Sequence, residues 1–577
     1  MTESEHNIRH SAAHLLAAAV LEVIPAAKLG TGPATEQGFY YDFELAEPIT
    51  EADLKQIEKK MKHTIKQNQV FERSEKTIDE AKKWAADAGQ SFKVETIEKL
   101  AGEGETAVSF YQNGEFSDLC RGPHIESTKE IGAIKLTHFS ASYWQGDENR
   151  ESMQRIYGVA FATSAELEEY EKMIAEAKKR DHRKLGKELD LFTFSEKVGS
   201  GLPLFTPRGT FLREQIANTI QQIQAKYGFE KVNIPHITKK DLYETSGHWE
   251  KFKDDLFHVN GKGDTEFVMK PMNCPHHTQI FASQARSYRD LPIRYAEVTT
   301  CYRDEQPGEL LGLSRVRALT QDDGHTFCRI DQVKEESRNI VNVIREFYTK
   351  LDMFNEGDFW VSLSVRDPAT PEKYLGDTDN WDKAEAFLEE IAEEEGLNAK
   401  RVEGEAAFYG PKLDFQFRDA LGREWQLATV QIDFVQPERF ELEFTNNEGN
   451  KERPVMIHRA IAGSLERFLS VIIEHFAGVF PPWLAPEQAR IVPVAGDFND
   501  GCAAIQKTLR EAGLRVELDS SNDALGKKVR KAEKMKIPFI LVVGEKELAD
   551  GTMTVRMHGV EEQETMKIEE FIKNFEE

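Results

Sequence analysis

Cysteine is scarce. The chain has five in 577 residues, Cys120, Cys274, Cys301, Cys328 and Cys502, too few and too scattered for a disulfide framework. Reduced thiols and a cytosolic, cytoplasmic location follow as the expectation. No apolar run reaches the roughly 20 residues of a membrane-spanning helix, so no membrane partner is expected. The opening M-T-E-S-E-H-N-I-R-H lacks a signal peptide's basic start and cleavage pattern. No strong repeat or low-complexity tract stands out. Positive charge is outweighed, 74 Lys and Arg against 100 Asp and Glu, for a formal net charge of -26. That argues against a simple DNA-coating protein, and no DNA partner is expected. RNA stays open, because local basic patches set phosphate contact. What is present, 40% hydrophobic and 30% charged residues, fits globular domains with proper cores. The length predicts about three or four of them.

The expected fold class is α+β multidomain, in four segments. Residues 1–161 open with an Ala/Leu-rich helix, roughly Asn7 to Ile24, followed by mixed α/β sequence. Residues 162–189 read as a solvated linker helix whose acidic start and basic end suit the helix dipole. Residues 190–482 predict an antiparallel sheet with helices: L-D-F-Q-F-R-D-A-L-G-R-E-W-Q-L-A-T-V-Q-I-D-F alternates across a D-A-L-G turn. R-Y-A-E-V-T-T-C-Y-R and R-V-R-A-L-T-Q-D-D supply further strands. W-D-K-A-E-A-F-L-E-E-I-A-E-E-E-G predicts a solvated helix. Residues 483–577 alternate short apolar strands with helices at Asn499–Ala512 and Ala524–Lys536, predicting a small parallel α/β domain.

Three dense motifs carry the chemistry: K-P-M-N-C-P-H-H with Cys274, T-Q-D-D-G-H-T-F with His325, and P-V-M-I-H-R-A with His458. Each alone reads as an ordinary buried Cys or His. Together, three borderline ligands without an obvious fourth point to a zinc site with an open position, able to touch substrate. A second set lies near the start. His10 and His14 fall at i and i+4 on one helical face, and C-R-G-P-H adds Cys120 and His124. These four read either as a second zinc site or as a buried polar cluster.

The middle segment resembles the class II aminoacyl-tRNA synthetases, specifically the threonyl family, on three ordered motifs. The first is Y-G-F-E-K-V-N-I-P-H-I, ending near Pro235. The second is C-Y-R-D-E-Q-P-G-E-L-L-G-L-S-R-V-R, with Arg303 and Glu305. The third is I-A-G-S-L-E-R-F, with Arg467. The resemblance spans almost the whole chain. It implies a class II antiparallel core, an N-terminal editing domain and a C-terminal anticodon-binding domain. It also implies a symmetric homodimer through the first motif, with ATP, magnesium, L-threonine and tRNA(Thr) as partners.

In the implied reaction the threonine carboxylate attacks the α-phosphate of ATP, and alignment with charge stabilisation dominates. The resemblance assigns Arg303 to the α-phosphate, Arg467 to the γ-phosphate, Glu305 to the adenine amino group and Arg315 to phosphate. Arginine suits these places because its fork is always charged and binds phosphate at two points. Two other classes stay open: a noncatalytic paralogue that regulates, and a hydrolase that works mainly through its N-terminal segment. Leu319 departs from the family, which often has Phe there; leucine lacks an aromatic face, and a modest effect on ATP binding is expected.

Zinc on Cys274, His325 and His458 would explain discrimination against valine, which an apolar pocket separates from threonine by only about a hundredfold. The resemblance places Asp323 at the substrate ammonium and matches Gln321, Tyr409, Gln426, Gln431 and Ser464 to further threonine or adenylate positions. Serine keeps the hydroxyl, and its missing methyl is worth only about 1–3 kcal/mol. A second, hydrolytic site is therefore predicted. D-L-C-R-G-P-H and Y-W-Q-G-D-E-N-R resemble the family's editing domain, which implicates His10, His14, Lys93, Asp118, Cys120 and His124 in clearing Ser-tRNA. Asn522, Glu547 and Arg556 match anticodon-contacting positions, beside a basic helix containing Lys527, Lys528, Arg530, Lys531, Lys534 and Lys536. Many family members begin with a ubiquitin-like domain, and this chain starts with Met almost at the editing helix.

Overall fold

Thr2 starts the first helix, Glu3–Val23, by a capping box with Glu5, which satisfies two otherwise orphaned backbone donors. The computed structural model describes residues 2–36, 38–147 and 149–575. Glu148, within Y-W-Q-G-D-E-N-R, and the chain's first and last residues lie outside them. The chain divides into two compact units, Met1–Ala175 and Glu176–Glu577.

In the first unit an antiparallel sheet runs Lys28–Leu29, Gly38–Glu44, Ser152–Phe161, Ala133–Tyr143. The first helix packs its Ala/Leu face on this sheet, with Ala12, Ala13, Leu16 and Val20 wholly buried beside Phe39 and Phe43. A smaller antiparallel sheet, Phe71–Thr77, Ala107–Asn113 and Phe116–Leu119, carries helices Ile78–Asp87 and Ser91–Gly102. Both sheets deliver residues to one cavity.

The linker departs from the expected single helix. Ser164–Arg180 has no buried residue, as a solvated helix should. The helix then breaks at Asp181, whose carboxylate accepts from the Arg183 amide at 2.8 Å and caps a new helix, His182–Glu188. His182, Leu185 and Gly186 there are buried in the second unit.

The second unit is built on an eight-stranded sheet. Its order is Glu230–Lys231, Ile293–Tyr302, Ala318–Cys328, Val455–Ala460, Glu424–Asp433, Lys412–Arg418, Phe359–Val365, Lys400–Glu403. The six central strands are antiparallel and only the two edge strands pair parallel. Helices Pro207–Lys226, Val333–Thr349 and Leu465–His475 bury their apolar stripes against it. The acidic helix, Thr378–Glu394, is only half solvated: Trp381, Ala384, Leu388 and Ile391 are buried. Its apolar residues recur at three- and four-residue spacing, the mark of a helix with one face on the core.

Strand alternation sorts Ala318–Cys328 into two faces. Gln321, Asp323 and His325 point to one side. Asp322 points to the other, where it pairs with the buried Arg459 at 2.7 Å and accepts the Ile461 amide at 2.9 Å. Gly324 stands beside that guanidinium, and a Cβ there would lie 2.6 Å from Arg459 Nε.

The C-terminal part has a five-stranded sheet, Val516–Leu518, Ala489–Pro493, Phe539–Val543, Thr552–Met557, Gln563–Lys567. Its first three strands are parallel, as expected; the last two are antiparallel. T-M-T-V-R-M alternates part-buried and buried positions up to Arg556, the pattern of an antiparallel strand with one face on the core.

Two candidate active sites

Cys274 begins helix Cys274–Ala282, while His325 and His458 sit directly opposite each other on neighbouring antiparallel strands. The fold therefore unites three residues 184 positions apart in sequence (458 − 274). One donor atom from each lies within 4.8 Å of the others, and all three residues are buried. Their second atoms are spoken for. His458 Nε2 is 2.7 Å from Asp433 Oδ2, and His325 Nδ1 is 2.7 Å from His277 Nδ1. That leaves His458 Nδ1 and His325 Nε2 facing each other at 3.1 Å. With His458 donating from Nε2, its Nδ1 carries a lone pair aimed into the cluster. Burial pushes the Cys274 thiol up, so a thiolate there needs a cation beside it. This donor set fits zinc.

Support behind the ligands is extensive. Asp433 also accepts the Val435 and Gln436 amides at 2.7 and 2.9 Å. His277 Nε2 faces Glu297 Oε2 at 3.7 Å, and Glu297 accepts the Ile234 amide at 3.1 Å, next to Pro235. Asn273 donates to Asp323 at 3.0 Å, and burial raises the Asp323 pKa. Asn273 and His277 lie inside the Cys274 motif and could have been read by helical spacing. Asp433 and Glu297 had no local signal.

A cavity of about 300 Å³ is lined by Arg303, Glu305, Arg315, Leu319, Gln321, Gln426, Ser464 and Arg467, among others. Three arginines thus converge on one space. Arg303 has no side-chain hydrogen bond or ion pair among the described residues. Burial lowers the Arg467 pKa, and the Arg303 and Arg315 charges add to it; the cavity is built for an anion. Arg315 pairs with Glu305 at 2.7 Å and Glu309 at 3.0 Å. The expected threonine contacts divide between the two places. Gln321, Gln426 and Ser464 line the arginine cavity. Asp323, Tyr409 and Gln431 belong to the Cys/His end: the Tyr409 ring lies 5.2 Å from His458, and Gln431 is paired across strands with His458.

The second site occupies a cavity of about 380 Å³ lined by His10, His14, Tyr41, Lys93, Asp118 and Cys120, among others. Cys120 Sγ lies 3.2 Å from both His10 Nε2 and His124 Nε2. Of the four residues that could have shared a second metal, three come together: His10, Cys120 and His124. His14 meets His124 edge-on at 5.2 Å and stays outside the donor cluster. Its position one turn after His10 puts it deeper in the core, 4% exposed. Ser11, unnoticed in the sequence, accepts the Ile125 amide at 3.2 Å and lies 2.9 Å from His124 Nδ1. Burial lowers His14 to about 4 and His124 to about 2, and pushes Cys120 up to about 11. At neutral pH these groups are uncharged. Lys93 supplies positive charge: its Nζ lies 2.9 Å from both Asp118 Oδ2 and the Tyr41 hydroxyl, which donates to Asp118 at 2.7 Å. Tyr41 was likewise illegible in sequence.

The C-terminal candidates do not converge by hydrogen bonding. Glu547 accepts the Gly544 amide at 2.9 Å, capping helix Glu545–Asp550. Arg556 lies 3.6 Å from Glu533, and Asn522 is an exposed loop residue. Lys528 is buried on its helix, which narrows the basic face.

Comparison with known proteins agrees with this architecture. The family model of the tRNA synthetase class II core domain (G, H, P, S and T) matches residues 257–476. The anticodon binding domain matches 488–577, and the threonyl and alanyl tRNA synthetase second additional domain matches 108–157. The fold is that of a class II aminoacyl-tRNA synthetase. The threonine–tRNA ligase of Cytophaga hutchinsonii is 47% identical over 100% of this chain and 89% of its own length. That of Gloeobacter violaceus is 48% identical over 100% and 92%. The solved RNA binding domain of threonyl-tRNA synthetase from Cryptosporidium parvum Iowa II is 36% identical. It matches 69% of this chain and 98% of its own with a TM-score of 0.65. This chain belongs to the threonine–tRNA ligase family. No helix among the described residues is long and apolar enough to cross a membrane.

Proposed function

We propose that the chain joins threonine to tRNA(Thr) through a threonyl-adenylate and clears mischarged Ser-tRNA at its N-terminal site. In this reading residues 1–161 edit, 162–189 connect, 190–482 activate and 483–577 bind the anticodon. The observation that carries it is the adjacency, on one sheet face, of a three-donor cluster and a three-arginine cavity. Gln321 and Asp323 bridge the two along a single strand.

Arg303, Arg315 and Arg467 hold the triphosphate, with magnesium, and offset charge that builds on the α-phosphate during attack. Glu305 receives the adenine amino group once Arg315 turns from it to phosphate. Leu319 gives the base an apolar surface. Asp323 accepts from the substrate ammonium, and Tyr409 and Gln431 complete that end. Cys274, His325 and His458 would hold zinc, which supplies an open coordination position for threonine's amino and hydroxyl groups. Asp433 and His277 fix the two imidazoles so that each presents one lone pair.

At the N-terminal site, neutral His10 and His124 orient water with Cys120, and Lys93 stabilises developing negative charge. A homodimer formed through the segment ending at Pro235 fits the class, as do Asn522, Glu547 and Arg556 as anticodon contacts.

Metal analysis of the purified chain is expected to return one zinc per subunit. Chelation should abolish threonine-dependent ATP–pyrophosphate exchange, and zinc should restore it. Full exchange in metal-free protein would remove zinc from the reading.

A further inference from the structure

Asp181, His182 and Glu474 form a third cluster of potential donors within 4.8 Å. Both nitrogens of His182 are already engaged, which leaves none for a metal. Nδ1 lies 2.6 Å from Glu474 Oε1, and Nε2 accepts the Leu313 backbone N–H at 3.1 Å. The acceptor role of Nε2 places the proton on Nδ1. The same Glu474 oxygen accepts the His182 amide at 2.9 Å, while its other oxygen pairs with Arg423. His182 is 4% exposed. The ring is thus fixed in position and tautomer by the C-terminal end of helix Leu465–His475.

Leu313 belongs to the loop between the two strands that frame the arginine cavity. Leu311 and Arg315 bridge across this loop. Three tethers hold its tip. His182 takes the Leu313 amide; Ser314 Oγ lies 2.9 Å from Ser470 Oγ; and Arg467 Nε donates to the Ser314 carbonyl at 3.2 Å. Gly312 sits at φ +50, and a Cβ there would lie 2.2 Å from His182 Nε2. The loop and the imidazole are therefore fitted to each other with no room between them. The next residues round the tip, Ser314 and Arg315, line the cavity.

We propose that His182 is a positioning residue for nucleotide binding, locking the loop 311–315 from behind so that Arg315 and Arg467 keep the spacing a triphosphate requires. The inference rests on the reading of the arginine cavity as the ATP site. His182 acts through the Leu313 amide and does not line the cavity. It begins the short helix His182–Glu188, which lies within the second unit.

The test is threonine-dependent ATP–pyrophosphate exchange on the full, zinc-loaded chain, with ATP and threonine varied separately. For His182→Ala we expect the KM for ATP to rise about tenfold, with the KM for threonine within about twofold of wild type. His182→Gln should recover much of the loss, since an amide can donate to Glu474 and accept from Leu313. Gly312→Ala should reproduce the ATP defect with His182 intact, by pushing the loop off the ring. An unchanged KM for ATP in His182→Ala, or an equal rise for both substrates, overturns the proposal. If His182→Ala fails to fold, Gly312→Ala decides alone: a wild-type KM for ATP overturns it. Absence of exchange in the wild-type chain would instead sink the ATP reading itself, and the proposal with it.

Discussion

Replacing Lys93 by methionine separates a structural role from a chemical one at the N-terminal site. Lys93 and Asp118 are 6% and 4% exposed at the side chain and 2.9 Å apart. Removing one partner of such a pair leaves a buried, uncompensated charge and costs about 3–5 kcal/mol. Asp118 keeps the Tyr41 hydroxyl and the Leu119 amide, at 2.7 and 2.8 Å, which puts the loss near the lower end, about 3 kcal/mol. For a unit of this size that lowers the melting temperature by roughly 6–12 °C. In Lys93→Met/Asp118→Asn no charge is stranded, and stability should return to within about 1 kcal/mol of wild type. Hydrolysis of Ser-tRNA should stay lost in both variants, because the cation is gone from both. Calorimetry of the full chain, following the N-terminal unit's transition, and a deacylation time course read the two effects apart. A double variant that clears Ser-tRNA at the wild-type rate refutes the charge role. A single variant that melts with wild type refutes the buried-pair reasoning.

Two further outcomes follow from the geometry. Asp433→Asn keeps the Val435 and Gln436 amides capped but weakens the hold on His458, so zinc affinity should fall about 10- to 100-fold. Competition with a chromophoric chelator measures this, and an unchanged affinity contradicts it. The buried histidines set an acid limit on the first unit. His14 titrates near 4 when folded against about 6.5 unfolded. As pH falls the unfolded state binds the proton first, so this stability is fully present above about 6.5 and is lost as pH falls through about 4. The unit's melting temperature should drop between pH 6.5 and 4, and less steeply in His14→Phe; identical slopes would remove His14 as the cause.

The sites were legible where chemistry is written into contiguous sequence. The Cys274, His325 and His458 motifs, and the arginines at 303, 315 and 467, announced themselves by dense unusual composition and by family resemblance. The antiparallel hairpin around D-A-L-G was legible by strict alternation. What escaped were partners made by tertiary pairing. Asp433 meets His458 only because two distant strands are neighbours. Tyr41 reaches Lys93 and Asp118 only because two sheets share one cavity. His14 looked like a fourth ligand because helical spacing places it beside His10, yet spacing does not say how deep a side chain sits. The linker misled in a similar way. Its charge pattern ran through Asp181, and only the cap geometry reveals the break that buries His182.

In the proposed function a metal beside the arginine cavity would recognise the threonine hydroxyl. Zinc-loaded ATP–pyrophosphate exchange with threonine, serine and valine, compared at equal concentrations, tests it most directly. Exchange should be high with threonine, appreciable with serine and near background with valine. Valine exchanging as well as serine would contradict it.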